Sequence, residues 1–274
     1  MPVQLLQRVP LTLLPVPRTL AGLGEASHVF LYRDTQGFPA FAVLRFEAGG
    51  RKAIRPLVAT VDLLTGKLGW RVQAPPEPRL LYGADELAKR PDAPVLVVEG
   101  EKTADEARQK PWLENYVVVT WPGGSRAVDK AAWKLLAGRK VTIFPDNDWP
   151  GIRAAWRIGD ILHRVGAREV RVVWPPRGFP TNWDLADLPP PDWPERLPEG
   201  SAPEAVMAHL VRQRGALKAL VAQAAVYEPG FTEAEAREAY GILYHRATEA
   251  LFKLESKKAL EGRPSAQGEG NGQV

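Results

Sequence analysis

The sequence has 274 residues, with 36 Lys plus Arg against 32 Asp plus Glu for a formal net charge of +4, and no cysteine. Its length suits one large domain or two modest ones, and its 45% hydrophobic and 25% charged residues are ordinary for a globular protein. Lack of cysteine excludes disulfides and Cys-ligated zinc within the chain; no apolar run nears membrane-spanning length, and residues 1–16 show no signal-peptide pattern, so a cytoplasmic location without membrane association is expected.

Residues 28–90 read as mostly β. HVFLYRDTQGFPAFAVLRF gives two strands around a turn at Asp34–Gly37, IRPLVATVDL and LGWRVQ give two more, and LLYGADELAKR starts a short helix. From Pro94 strands alternate with helices, the sign of an α/β unit with a mostly parallel sheet. VLVVE (95–99), YVVVT (116–120), KVTIF (140–144) and EVRVVW (169–174) are the strands; helices are expected over 102–110, 128–136 and 150–165. Residues 175–200, rich in Pro and Trp, read as a wrapping loop or boundary. Two helices follow, with capping boxes at Ser201/Glu204 and Thr232/Glu235, the second carrying an apolar stripe at Ala236, Tyr240, Leu243, Ala247, Leu251 and Leu254. The division expected is a β-rich subdomain over 1–90, an α/β domain over 91–190, a helical region over 191–262 and a disordered tail over 263–274.

Glu99 ends one strand, and Asp146 and Asp148 follow another in FPDND. In a parallel sheet functional groups gather at the carboxyl ends of strands, and an i, i+2 pair in an extended turn can aim both carboxylates at one point. Three hard oxygen donors suit Mg²⁺ or Mn²⁺, whose shell is completed by water and phosphates. A lone DxD after a strand also occurs in receiver domains, phosphatases and sugar transferases; the strand–Glu–Gly, strand–helix, strand–DxD combination is far more specific. Around the two aspartates stand Arg139, Lys140, Arg153, Arg157, Arg164, Arg168 and Arg171, which suits a place where cations and phosphates meet. The tryptophans near the strand ends, Trp121, Trp149, Trp174 and Trp183, are better read as buried rims than as stacking platforms for bases.

VLVVEGEKTADEA resembles the first motif of Toprim domains in primases of phages, plasmids and mobile elements. VTIFPDNDWPGIRAA resembles the second, and TNWDLADL the third acidic element. The resemblance covers about residues 94–188 and extends upstream, where YRDTQGFPAFAVLRF and LLYGADEL are similar to the amino-terminal half of a DnaG-type primase core. It implies a Rossmann-like Toprim domain after a β-rich subdomain. It implies catalytic and metal-binding roles for Glu99, Asp146 and Asp148, with Asp184 as a further ligand (Asp187 its alternative) and two Mg²⁺ or Mn²⁺ ions without zinc. Lys102, Arg153 and the backbone of Gly123 and Gly124 are assigned to nucleotide phosphates. Arg45, Lys52 and Arg55 are assigned to DNA. For Lys102 a salt bridge to Asp105 or Glu106 is the competing role, and for the glycines a tight turn.

The implied activity is metal-dependent synthesis of short oligonucleotides from nucleoside triphosphates on single-stranded DNA, in the replication of a phage, plasmid or mobile element. The sequence departs from the family in lacking the cysteines of its zinc module and a Gly-Lys-Ser/Thr phosphate loop, which points to a separate helicase as partner. Two other readings stand beside it, a Toprim nuclease using the same carboxylates to activate water, and a non-catalytic accessory that binds single-stranded nucleic acid.

Overall fold

The computed structural model describes residues 2–49, 51–176, 178–230, 232, 234, 235 and 237. Its first half is an antiparallel sheet centred on one long strand. In chain order the strands are β1 (Val3–Leu5), a small ribbon of β2 (Thr19–Leu20) and β3 (Gly24–Glu25), then β4 (His28–Arg33), β5 (Pro39–Ala48), β6 (Arg51–Asp62) and β7 (Leu68–Val72). One edge of β6 carries β5 and then, beyond residue 59, β1; its other edge carries β7, and β4 lies outside β5.

Strand alternation gives this sheet two different faces. Ala42, Leu44, Phe46 and Leu57 pack on one side under Val16 and Ala26, so the amino-terminal segment covers that face. Phe30, Tyr32, Phe41, Val43 and Val58 pack on the other side, toward the second half of the chain.

The short helix α1 (Ala84–Lys89) leads into the second sheet, built from β8 (Val95–Val98), β9 (Val117–Val119), β10 (Lys140–Phe144), β11 (Glu169–Val172) and β12 (Ala225–Val226). Their order is β12-β11-β10-β8-β9; β11, β10, β8 and β9 are parallel and β12 adds an antiparallel edge too short to show in the residue pattern. The continuous apolar run of β8 is no more than 1% exposed at any position, as a parallel strand buried on both faces requires.

Helices cover both faces. α2 (Glu101–Arg108) puts Ala104 and Ala107 against Leu96, Val98 and Phe144, and α4 (Pro203–Ala222) adds Leu217 and Val221 to that layer. On the other face α3 (Trp149–Arg164) packs Ala154, Ala155, Ile158 and Leu162 against Val97, Ile143 and Val172. α3 is well punctuated: the Asp148 carboxylate accepts the Gly151 N–H at 2.6 Å, Pro150 sits in the first turn, His163 and Arg164 in the last, and Gly166 follows at φ 81°. Among the described residues no helix is long and apolar enough to cross a membrane.

Two expectations are corrected. Residues 128–136 do not form an α-helix but two 3-10 segments, Ser125–Lys130 and Trp133–Leu136. Between them the backbone is drawn out by Arg79, whose N–H donates to Lys130 O and whose O accepts the Ala132 N–H, in a parallel bridge to Ala131. The Ser201/Glu204 capping box is not formed, because the Ser201 hydroxyl donates to Pro198 O and α4 starts after Ala202 without a side-chain cap. The Thr232/Glu235 box is formed, each side chain accepting the other's backbone N–H. The stripe from Tyr240 to Leu254 and the tail 263–274 lie outside the described residues, as does Ala236.

Candidate active site

The order of the parallel strands fixes where a site can form. From β8 the chain moves outward to β9, then crosses back to β10 and outward to β11, so β8 and β10 are neighbours whose following helices lie on opposite faces. Such a switch point leaves a crevice beyond the carboxyl ends of the two strands. Glu99 follows β8 and Asp146 follows β10, so both open onto it.

The crevice is one wall of a cleft of about 670 Å³, whose opposite wall is the antiparallel sheet. Glu99, Asp146, Asp184 and Asp187 stand on the parallel-sheet side with Gly123 and Gly124; Arg45 and Lys52 face them from β5 and β6. Each acidic group is placed by backbone. Glu99 accepts the Ser125 N–H at 2.9 Å, and Gly124, at φ 65°, brings that segment to the carboxylate. Gly151 lets the first turn of α3 pass over Asp146, since a Cβ there would stand 2.7 Å from Asp146 O. Asp184 is set by its own turn, accepting the Ala186 N–H at 2.6 Å.

The electrostatics are those of several like charges gathered where each is partly buried. Burial pushes the Asp146 carboxyl up to about 9, aided by the charges of Glu99, Asp184 and Asp148, with Lys52 opposing. Burial also raises Glu99, against the pull of the Ser125 amide, and raises Asp184. A divalent cation would relieve this repulsion, and the donors are all carboxylate oxygens, the donor type that Mg²⁺ and Mn²⁺ prefer. Among the described residues no three acidic or histidine side chains already converge to enclose an ion.

The remaining residues singled out in the sequence divide. Asp148 does not line the cleft, being turned to cap α3, although its charge acts on Glu99 and Asp146. Lys102 lines the cleft, exposed, and makes no salt bridge among the described residues; Asp105 is engaged instead by Arg108. Arg45 lines the cleft in an ion pair with Glu47. Arg55 is not on the cleft. It pairs with Leu44, on the face under the amino-terminal segment, and donates to Ile54 O. Arg153 lines a separate hollow of about 890 Å³ beside α3, with Arg126, Asp129 and Arg157. Trp121 and Trp183 are buried, each 3% exposed.

The sequence reading missed three groups. Arg79 lines the cleft, and its Nε is buried without a hydrogen-bond partner among the described residues. Thr103 lines it and stands near enough to Asp184 to oppose the rise of its pKa. Glu101, 8% exposed, accepts the Tyr32 hydroxyl at 2.7 Å and joins the two sheets at the cleft floor. Only Glu101 left a signal, as a second acid within EGEK where α2 should begin to pack.

No family profile and no curated protein matches the chain. Among solved structures it is similar to the zinc-binding and RNA polymerase domains of the Aquifex aeolicus primase, at 17% identity and TM-score 0.43, over 80% of this chain and 46% of that one. It is also similar to a DnaG primase catalytic domain bound to single-stranded DNA, at 18% and 0.41 over 72% and 53%. A third is a DNA primase domain from Pseudomonas aeruginosa, at 18% and 0.39 over 72% and 51%. The chain thus spans about half the length of these proteins, and with identities below 20% and TM-scores below 0.5 the likeness is distant.

Proposed function

We propose that the chain is a primase-type nucleotidyltransferase that joins nucleoside triphosphates into short oligonucleotides on single-stranded DNA. One observation carries this reading. An acidic wall at the switch point of a parallel sheet faces a basic wall across a single cleft, so that a cation site and a polyphosphate site share one space. The three acidic motifs, with EGEKTADEA of the mobile-element type, support the same reading. The setting proposed is replication of a phage, plasmid or mobile element in the cytoplasm, alongside a separate helicase.

Glu99, Asp146 and Asp184 would hold Mg²⁺ or Mn²⁺, with Asp148 adding negative charge from behind. When bound there, such a cation would supply charge neutralisation on the transferring phosphoryl group and a lower pKa for an attacking hydroxyl. Lys52 and Lys102 bind phosphate oxygens as flexible point charges, and Arg45 supplies a planar fork once Glu47 is displaced. The Gly123–Gly124 turn lets a substrate approach the backbone beside Glu99.

The test is incorporation of labelled nucleotides on single-stranded templates with Mg²⁺ or Mn²⁺, comparing wild type with Asp146→Asn. Template-dependent products that vanish in the variant are expected. A folded wild type that incorporates nothing with either metal overturns the proposal; metal-dependent degradation of DNA in its place would make the chain a nuclease.

A further inference from the structure

Between the two aspartates of FPDND stands Asn147, whose side chain points away from the cleft. Its hydrogen bonds all run to the segment just before Asp184. The Asn147 N–H donates to Trp183 O at 2.8 Å, and Asn147 O accepts the Asn182 N–H at 3.0 Å. Both hydrogens of its side-chain amide are used, one on Phe179 O and one on Pro180 O, each at 2.9 Å. A single residue thus makes four bonds to residues 179–183, which have no helix or sheet to satisfy their carbonyls and within which Pro180 O also accepts the Trp183 N–H.

The segment needs such a clasp. Asn182 is held at φ 64°, in the left-handed region that a non-glycine residue occupies at a cost. Next to it Trp183 packs between Phe144 at the end of β10 and Phe179, and its Nε1 donates to Leu188 O. Asp184 follows directly and lines the cleft on the same wall as Glu99 and Asp146. The loop of Asp184 is therefore bolted to the loop of Asp146 and Asp148, the bolt being a side chain that touches neither the cleft nor any acidic group.

We infer that Asn147 is a positioning residue of the acidic site, registering Asp184 against Asp146 so that both carboxylates serve one divalent cation. The inference rests on the proposed function, in that it takes these acids as cation ligands. It adds which residue couples the two loops. Only an amide does this here. Aspartate has no donor for the two carbonyls, serine has one where two are needed, and alanine has none.

Mn²⁺ binding to the intact protein, followed by electron paramagnetic resonance, tests it together with thermal melting. Partners that orient metal ligands typically cost about 10–100-fold in affinity when removed. Asn147→Ala is therefore expected to weaken Mn²⁺ binding about tenfold and Asn147→Ser by less. In an Asp184→Asn background, Asn147→Ala should cause no further loss, because the residue acts through Asp184. If Asn147→Ala fails to fold, the serine variant carries the same comparison. Unchanged Mn²⁺ affinity in a folded variant, or an equal loss with Asp184 already removed, overturns the inference and leaves the nucleotidyltransferase reading standing. A wild type that binds no Mn²⁺ overturns both.

Discussion

The two walls of the cleft are built on opposite principles. On the parallel sheet the acidic groups sit just past strand ends, mostly buried, each held by backbone: Glu99 by the Ser125 N–H, Asp184 by the Ala186 N–H, Asp146 under the tight turn at Gly151. On the antiparallel sheet Arg45 and Lys52 stand mid-strand or at a strand start, Lys52 exposed and Arg45 half-buried in its ion pair with Glu47, both turned to the cleft by the alternation of β5 and β6. A site for a cation needs fixed donors at defined separations, whereas a surface for a polyanion needs only charge of the right sign within reach. The acidic wall should therefore break sharply on single substitutions and the basic wall give way gradually.

The largest effect is expected at Asp146. Replacing it with Asn keeps its shape and removes the charge that it would carry with a cation bound. If several kcal/mol of transition-state stabilisation depend on the cation, nucleotide incorporation falls by roughly a thousandfold. A loss of tenfold or less in a folded variant, measured by single-turnover incorporation, would place the acidic wall on the same gradual footing as the basic one.

The contrast between the walls also sets how much was legible in the sequence. The strand-end acids could be read because a parallel sheet ties position to exposure: an apolar run ends, and the next polar residue faces the crevice. The antiparallel sheet carries the same rule in another form, through the alternation of its strands. Lys52 and Arg55 are three residues apart on one strand, so they must face opposite sides, and only Lys52 reaches the cleft. Residues 128–136 were legible as helix-forming but not as broken, since the break comes from a backbone bridge to Arg79, about fifty residues earlier in the chain. The ribbon of β2 and β3 is two residues a strand, too short to print any periodicity.

Next in size is the link between the walls. The Tyr32 hydroxyl donates to Glu101 in a buried site, and burial, with the neighbouring Glu101 charge, holds that hydroxyl well above its usual pKa. Tyr32→Phe removes the donor and leaves a buried carboxyl unsatisfied, which costs about 1–3 kcal/mol. Thermal melting should drop by about 2–4 °C for each kcal/mol. A melting point unchanged within a degree would mean that the sheets are held together by packing alone.

The basic wall should answer more softly, and unequally. Lys52→Ala is expected to weaken binding of single-stranded DNA or nucleoside triphosphate roughly tenfold and to flatten the salt dependence by about 0.7 in log–log slope for a single strand, the share of one phosphate contact. Arg55→Ala, on the far face, should leave both unchanged. Equal effects from the two, titrated across salt concentrations, would show that the antiparallel sheet acts as a diffuse charge and not as a wall with one working face.

The smallest effect, and the one that ties the walls together, is on stability without metal. With its folded pKa near 9 against an ordinary value of 3.8, Asp146 binds a proton in the folded state over a range where the unfolded chain has lost it. Stability of the metal-free protein should therefore fall as pH rises from about 4 to about 9, because deprotonation is resisted by burial and by Glu99, Asp184 and Asp148. Asp146→Asn cannot lose that proton. It should melt close to wild type near pH 4 and on the order of a few degrees above it near pH 8, a margin kept small by solvent in the open cleft. Millimolar Mg²⁺ should close the gap at pH 8 by stabilising only the wild type, since a cation that binds the folded state alone raises its stability. Lys52 lowers the Asp146 pKa from across the cleft, so Lys52→Ala should widen the gap. If melting curves of wild type and Asp146→Asn run parallel from pH 4 to 9, the acids on one wall do not feel each other strongly enough to need a cation.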